Sequence, residues 1–378
     1  MSEFQNQVSA RLKPLDALRG FIMIVMALDH ANLFIAHGHS RPEMWTGFFP
    51  TYNDPIAFLT RAVTHLAAPG FFFLMGTGMM LLARMRERLG WSHRRIIRFL
   101  MLRGALLIVL QVVVEDPAWL FGQNEGFTGQ AIYLGVLYGL GGAMILGSLL
   151  LMLPTRVLFG ISAVLLIGTE VVIRFFAADA VRIPFINLFL LAGTANGFDV
   201  LYPILPWLGV TAFGMGFGRW CVENAQVAYR RALLLGISFL VIFVPLRALN
   251  GFGNIRAQVG TGWIGFLNNV KYPPSLTFLL LALGIDLSVL YAFSRPVLES
   301  LTRRLSPLMV FGTTPLFFYL VHLYLYGFIG RVFFPNGTPT IPEMYPWWLL
   351  GLVILYPLCL LYGKFKASRA ADSVWRFF

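Results

Sequence analysis

Charge is what this chain lacks most. Asp, Glu, Lys and Arg supply 12% of its 378 residues, too little to solvate a soluble domain of that length, while 58% of the residues are hydrophobic and the mean hydropathy is +0.73. Cysteine is almost absent. Cys221 and Cys359 lie in different apolar segments, which excludes a disulfide framework and offers no thiol metal site. Internal repeats, low-complexity tracts and a soluble domain are missing as well. The first apolar stretch is too long for a removable signal peptide and reads as a retained helix. Acidic residues are the scarcer sign, and the formal net charge is +12. In a soluble protein that excess would suggest nucleic acid; here its distribution along the chain has a different explanation.

What is present is a series of apolar stretches near the ~20 residues that a helix needs to cross a bilayer. They fall at residues 17–36, 66–84, 96–114, 131–152, 157–176, 202–221, 230–249, 275–294, 306–329 and 346–364. The expectation is an all-α polytopic membrane protein of about ten transmembrane helices forming a single domain, 1–378. Ile183 to Gly193 is apolar but roughly half a span long and contains Pro184, so it reads as an interfacial or re-entrant piece. On that count both termini share one side. Of the lysines and arginines, 21 fall on that side and 8 on the other, which places both termini in the cytoplasm.

Histidines gather on the opposite side. His30 lies about 20 Å along the first span and His322 about 24 Å along the ninth, at 1.5 Å per residue; His37, His39 and His65 follow in or beside the first outer loop. Ionisable side chains inside a span are expensive and mark internal cavities, and histidine is the group best suited to exchange a proton near neutral pH. Asp29 points about 100° away from His30 on a helix, so a partner for His30 comes from another helix, His322 or His65. A metal is not expected, since no ligand spacing here is diagnostic. The basic run from Arg84 to Arg95 continues to Arg98 and Arg103. It suits lipid headgroups and topology first, and the phosphates of a nucleotide-bearing donor second. Glu170 and Arg174, four apart, are expected to pair. Asp286, midway through the eighth span, has no local partner in sequence.

Four segments resemble a known family. They are Leu15-Asp16-Ala17-Leu18-Arg19-Gly20 with Met26-Ala27-Leu28-Asp29-His30; Thr64-His65-Leu66-Ala67-Ala68-Pro69-Gly70-Phe71-Phe72-Phe73-Leu74-Met75-Gly76; Lys271-Tyr272-Pro273-Pro274-Ser275-Leu276; and Gly312-Thr313-Thr314-Pro315-Leu316-Phe317-Phe318-Tyr319-Leu320-Val321-His322. Together, in order, they are similar to bacterial members of the heparan-alpha-glucosaminide N-acetyltransferase family within the transmembrane acyltransferases. The resemblance implies transfer of an acetyl or acyl group from cytosolic acetyl-CoA to an extracytoplasmic sugar amine or hydroxyl. The family's lysosomal member carries asparagine at the position of His30 and aspartate at that of His65, so either His30 or His39 serves as the base. His30 is favoured, with Asp29 and His39 beside it as catalytic candidates. His65, His322, Lys271 and Tyr272 are the acceptor-site or supporting candidates. Arg19, Arg98 and Arg103 are candidates for the donor, Arg19 being equally able to pair with Asp16. The expected setting is the inner (plasma) membrane, multi-pass, with lipids and a small-molecule or glycan acceptor as partners. A homo-oligomer is allowed and nucleic acid has no part. The alternative from another class is a proton-coupled transporter using Asp29, His30, Asp286 and His322; a third is a non-catalytic scaffold.

Overall fold

The computed structural model describes residues 2–38, 42–123, 131–176, 183–296, 306–335, 337–369, 373 and 375. The chain is helical nearly throughout. In order it forms α1 (Ser2–Phe34), α2 (Pro55–Thr64), α3 (Ala67–Arg88), α4 (His93–Leu110), a π turn (Gln111–Glu115), α5 (Asp116–Gln123), β1 (Ile132–Leu134), α6 (Val136–Leu149) and α7 (Thr155–Val172). Then follow α8 (Pro184–Phe189), β2 (Gly193–Ala195), β3 (Phe198–Val200), α9 (Ile204–Ala248), α10 (Gly262–Leu267), α11 (Leu276–Phe293), α12 (Ser306–Thr313), α13 (Pro315–Phe333) and α14 (Ile341–Ala367).

Among the described residues, eight helical stretches are long and apolar enough to cross a membrane. One of them, α9, has 45 residues and would measure about 68 Å if straight, more than twice a ~30 Å hydrocarbon core. It breaks at Asn224, where φ is −157° and ψ is 104°. The Asn224 side chain accepts hydrogen bonds from the backbone N–H groups of Gln226 and Val227, capping a second helix as a side-chain oxygen at a helix start does. With α9 as two passes, and with the shorter apolar α6, the ten apolar stretches of the sequence all have helices. The ninth is bent between α12 and α13 at Thr314, ahead of Pro315. Ile183 to Gly193 makes the six-residue α8 and the start of β2 and does not cross.

Packing explains which helices are central. The first two crossing stretches bury 72% of their apolar windows, the last only 22%, so α1 and α3 form the middle and α14 the lipid-facing edge. The close approach of α3 to α9 depends on glycine. A Cβ at Gly76 would strike the Thr211 carbonyl, and one at Gly214 the Phe73 carbonyl; small residues let membrane helices meet backbone to backbone. In the same way Gly20 of α1 lies on Leu308 of α12, and Gly312 lies on Asp16. These contacts run α1 alongside α12 and α13 and bring the C-terminal halves of α1 and α13 together.

The irregular structure gathers toward the C-terminal end of α1. A three-stranded sheet of order β1-β3-β2, parallel at β1–β3 and antiparallel at β2–β3, sits above α6. The loop before α11 is pinned by Arg247, which donates to the Gly265, Phe266 and Asn268 carbonyls and to the Asn254 side chain. Glu170 is the one local expectation that changes. Instead of pairing with Arg174, its Oε1 accepts from the Leu276 N–H at 2.9 Å, while Arg174 lies over Phe252. The exposed N–H groups at the start of α11 outcompete a same-helix cation because they are fixed in place and carry the positive end of the helix dipole.

Candidate active site

The site starts with two buried imidazoles. His30 on α1 and His322 on α13 are 7% and 0% exposed, and His30 Nδ1 stands 2.5 Å from His322 Nε2. His322 Nδ1 is 3.0 Å from the Phe318 carbonyl, which can only accept. For two neutral rings this determines the protons. His322 donates from Nδ1 to Phe318, its Nε2 accepts from His30 Nδ1–H, and the lone pair of His30 lies on Nε2. The edge of Trp119 abuts His30, with centroids 5.2 Å apart and rings at 89°, and Tyr319 packs on both histidines.

Asp29 serves a different structure. Arg61 on α2, 2% exposed, donates to Asp29 Oδ1 at 2.5 Å and to both oxygens of Glu43, at 2.8 and 2.6 Å. Thr64 donates to Asp29, and His65 Nε2 lies 3.4 Å from Glu43 Oε1. Burial works to raise the Glu43 carboxyl, yet the Arg61 guanidinium and His65 beside it hold it well below its ordinary range. The Glu43 carbonyl in turn accepts from the Lys271 and Tyr272 backbones, and Trp45 N–H donates to Tyr272. The ion cluster thus staples the loop between α1 and α2 to the segment before α11. Lys271 is 3% exposed and burial pulls its ammonium down to about 8. The hydroxyls of Tyr272 and Tyr202 are 3.2 Å apart.

These groups enclose a chamber of about 510 Å³, lined by His30, Asp29, Arg61, Lys271, Tyr272 and Tyr319 among others. Below it, Phe71, Val136 and Tyr319 also line a second, mostly apolar cavity of about 290 Å³ walled by methionines and leucines of α1, α3, α4 and α6. That cavity ends at Arg19, Arg103 and Lys366, and Arg103 and Lys366 continue into a third space with Arg86 and Phe99. Polar chamber, apolar duct and basic mouth therefore follow one another along α1.

Most residues singled out by sequence are brought to this passage. Arg19 does both things expected of it, pairing with Asp16 at 2.7 Å and standing at the duct mouth while donating to the Gly312 carbonyl. Arg98 is exposed on α4 and lines none of these three spaces. His39 lies outside the described residues. His65 is held at the ion cluster, behind the chamber wall. Asp286, needed by the transporter reading, is buried against Gly70; among the described residues neither of its oxygens has a hydrogen-bond partner, and it lines no part of the passage. Sequence reasoning missed Arg61, Glu43, Trp119 and Glu115. Glu115 had a signal of its own, an acid directly after the third apolar stretch and just ahead of Asp116-Pro117.

Fold and site define a polytopic α-helical membrane protein with a paired-histidine chamber joined to a basic mouth by a hydrophobic duct. The chain belongs to the heparan-alpha-glucosaminide N-acetyltransferase catalytic family, whose match spans residues 11–243; the family implies transferase activity. The match takes in His30, Asp29 and Glu115, while Lys271, Tyr272 and His322 lie beyond it. Comparison with curated proteins gives no match.

Proposed function

We propose that the protein transfers an acetyl group from cytosolic acetyl-CoA to an amine or hydroxyl of a sugar on the far side of the membrane, with His30 as general base. The observation that carries this reading is the passage itself. Arg19 precedes His30 by 11 residues, about 16 Å along a helix, a length suited to an extended pantetheine arm. Donor phosphates fit the Arg19, Arg103 and Lys366 mouth, where charge-assisted hydrogen bonds favour them, and the apolar duct fits the arm. The bias of lysine and arginine toward the side of the termini supports placing that mouth in the cytoplasm.

The bound donor supplies an activated thioester carbonyl. His30 takes the acceptor proton on Nε2 while its Nδ1–H remains on His322. His322 holds the ring in orientation and spreads the new charge, the role of the third member in nucleophile–base arrangements. As the acceptor joins the carbonyl carbon and the C–S bond breaks, His30 returns the proton to the leaving sulfur. A positioned base of this kind contributes about 10²–10⁴ in rate. Tyr319, shared by chamber and duct, lines the junction where the two substrates meet.

Thermal unfolding of the purified protein in detergent tests the donor assignment. Acetyl-CoA at 100 times its dissociation constant stabilises by about 2.7 kcal/mol, while ATP at the same concentration does much less. His30→Ala keeps that shift and loses transfer. A protein indifferent to saturating acetyl-CoA overturns the reading, and proton flux in liposomes then tests transport.

A further inference from the structure

Glu115 closes the π turn between α4 and α5, a wide turn that adds a residue to the helix and is frequent at functional sites. Its carboxyl is fully buried yet lines the chamber. It accepts from Trp119 Nε1 at 3.3 Å and the Leu137 N–H at 3.4 Å, and Tyr319 and Gln111 also hydrogen-bond it. Every one of these donors is neutral, and among the described residues it enters no ion pair. Aromatic rings complete the surroundings: Trp119 and Tyr133 meet edge to face at 5.5 Å, beside His30. A buried carboxyl held only by neutral donors keeps its charge uncompensated and favours a cationic partner. The chamber leans the same way, with Asp29, Glu115, Asp116 and Asp199 against Arg61 and Lys271, and Arg61 already committed to Asp29 and Glu43.

An amine acceptor needs something a hydroxyl does not. At neutral pH it arrives as an ammonium without a lone pair, and two protons leave it before an amide forms. The His30–His322 pair returns one to the leaving sulfur, so the other requires a separate base. Building on the acyl-transfer reading above, and taking the amine acceptor that the family's description implies, we infer that Glu115 binds the acceptor ammonium and removes its first proton. In balance, R–NH3⁺ and the Glu115 carboxylate give R–NH2 and the carboxylic acid. The amine then forms its bond to the acetyl carbon as the C–S bond breaks, the second proton passes through His30 to sulfur, and Glu115 releases its proton to water in the outer chamber. One proton leaves per amide formed.

Glu115→Gln keeps the shape and the acceptor oxygen for Trp119 while removing the base. The titratable groups around position 115 stay in place: Tyr133, Tyr202, Tyr319 and the adjoining Asp116. The assay is CoA release by the full-length protein between pH 6 and 9, with a glucosamine disaccharide and with cellobiose, after acetyl-CoA thermal stabilisation has shown the variant folded. At pH 7 amine turnover should fall about 10-fold, the ratio of ammonium to free amine for an amine of pKa about 8, and recover as pH rises through that pKa, while the amine-to-cellobiose ratio falls with it. Wild-type amine turnover at pH 7, or an equal loss on both sugars without recovery at high pH, overturns the inference. Should Glu115→Gln not fold, Glu115→Asp must keep the wild-type pH profile on the amine, and a shift of preference to cellobiose refutes it. A wild-type protein that transfers to neither sugar defeats the acyl-transfer reading itself.

Discussion

Removing the nitrogen that accepts from His30 separates orientation from basicity. In His322→Phe the ring volume stays but Nε2, 2.5 Å from His30 Nδ1, is gone. His30 then loses the contact that determines its tautomer, and its lone pair no longer has to face the acceptor. The full contribution of a positioned base is 10²–10⁴, about 2.7–5.4 kcal/mol at 1.36 kcal/mol per decade. His322→Phe should lose most of that, His30→Ala all of it, and the double variant no more than His30→Ala, because the two rings act as one unit. His322→Gln offers a side-chain carbonyl in place of Nε2 and should recover part of the rate. The assay is CoA release under saturating acetyl-CoA, with thermal stabilisation by acetyl-CoA as the control for folding. Additive losses in the double variant, or a His322→Phe enzyme with wild-type turnover, would show that the histidine pair is not the catalytic unit.

Three further outcomes follow from the same geometry. Arg61→Met strands the buried Glu43 carboxylate and the half-buried Asp29 and should cost about 3–5 kcal/mol, read as a fall in Tm at neutral pH; a change below 1 kcal/mol would mean the cluster is solvated. Lys271 has its pKa pulled by burial from 10.5 to about 8, so between those values the unfolded chain binds more protons than the folded one. Stability contributed by this group should therefore rise with pH from about 8 to 10.5, and Lys271→Met should abolish that rise in a Tm-versus-pH series. Arg103→Gln should raise the KM for acetyl-CoA about 10–100-fold with kcat little changed, since a charged hydrogen bond of about 1.5–3 kcal/mol is lost equally from ground and transition states; a drop in kcat alone would place Arg103 away from the donor.

How much could be read in advance differs between residues. His30 and His322 were legible because an ionisable group inside an apolar stretch is conspicuous wherever the chain folds. Their direct contact was one of two partners the sequence allowed for His30. Arg61 looked like an ordinary outer-loop cation, since nothing local says that Glu43 and Asp29 converge on it from another loop and another helix. Glu115 was hidden because it falls just past the end of the third apolar stretch, with no pattern to say that the helix continues and turns it inward. Glu170 was assigned the wrong partner because a spacing of four residues describes only its own helix, and its actual partner begins a helix 106 positions later.

By itself the sequence determined the membrane setting, the places of the apolar segments and the ionisable groups within them. All of these follow from local length and composition weighed against a ~30 Å hydrocarbon layer. Tertiary structure alone decided which of those groups meet. Helices that are apolar nearly all round carry no stripe to orient them, so their rotation is decided by close glycine contacts such as Gly20 on Leu308 and Gly312 on Asp16. Those contacts turn His30 toward His322, and with it set the order of chamber, duct and mouth.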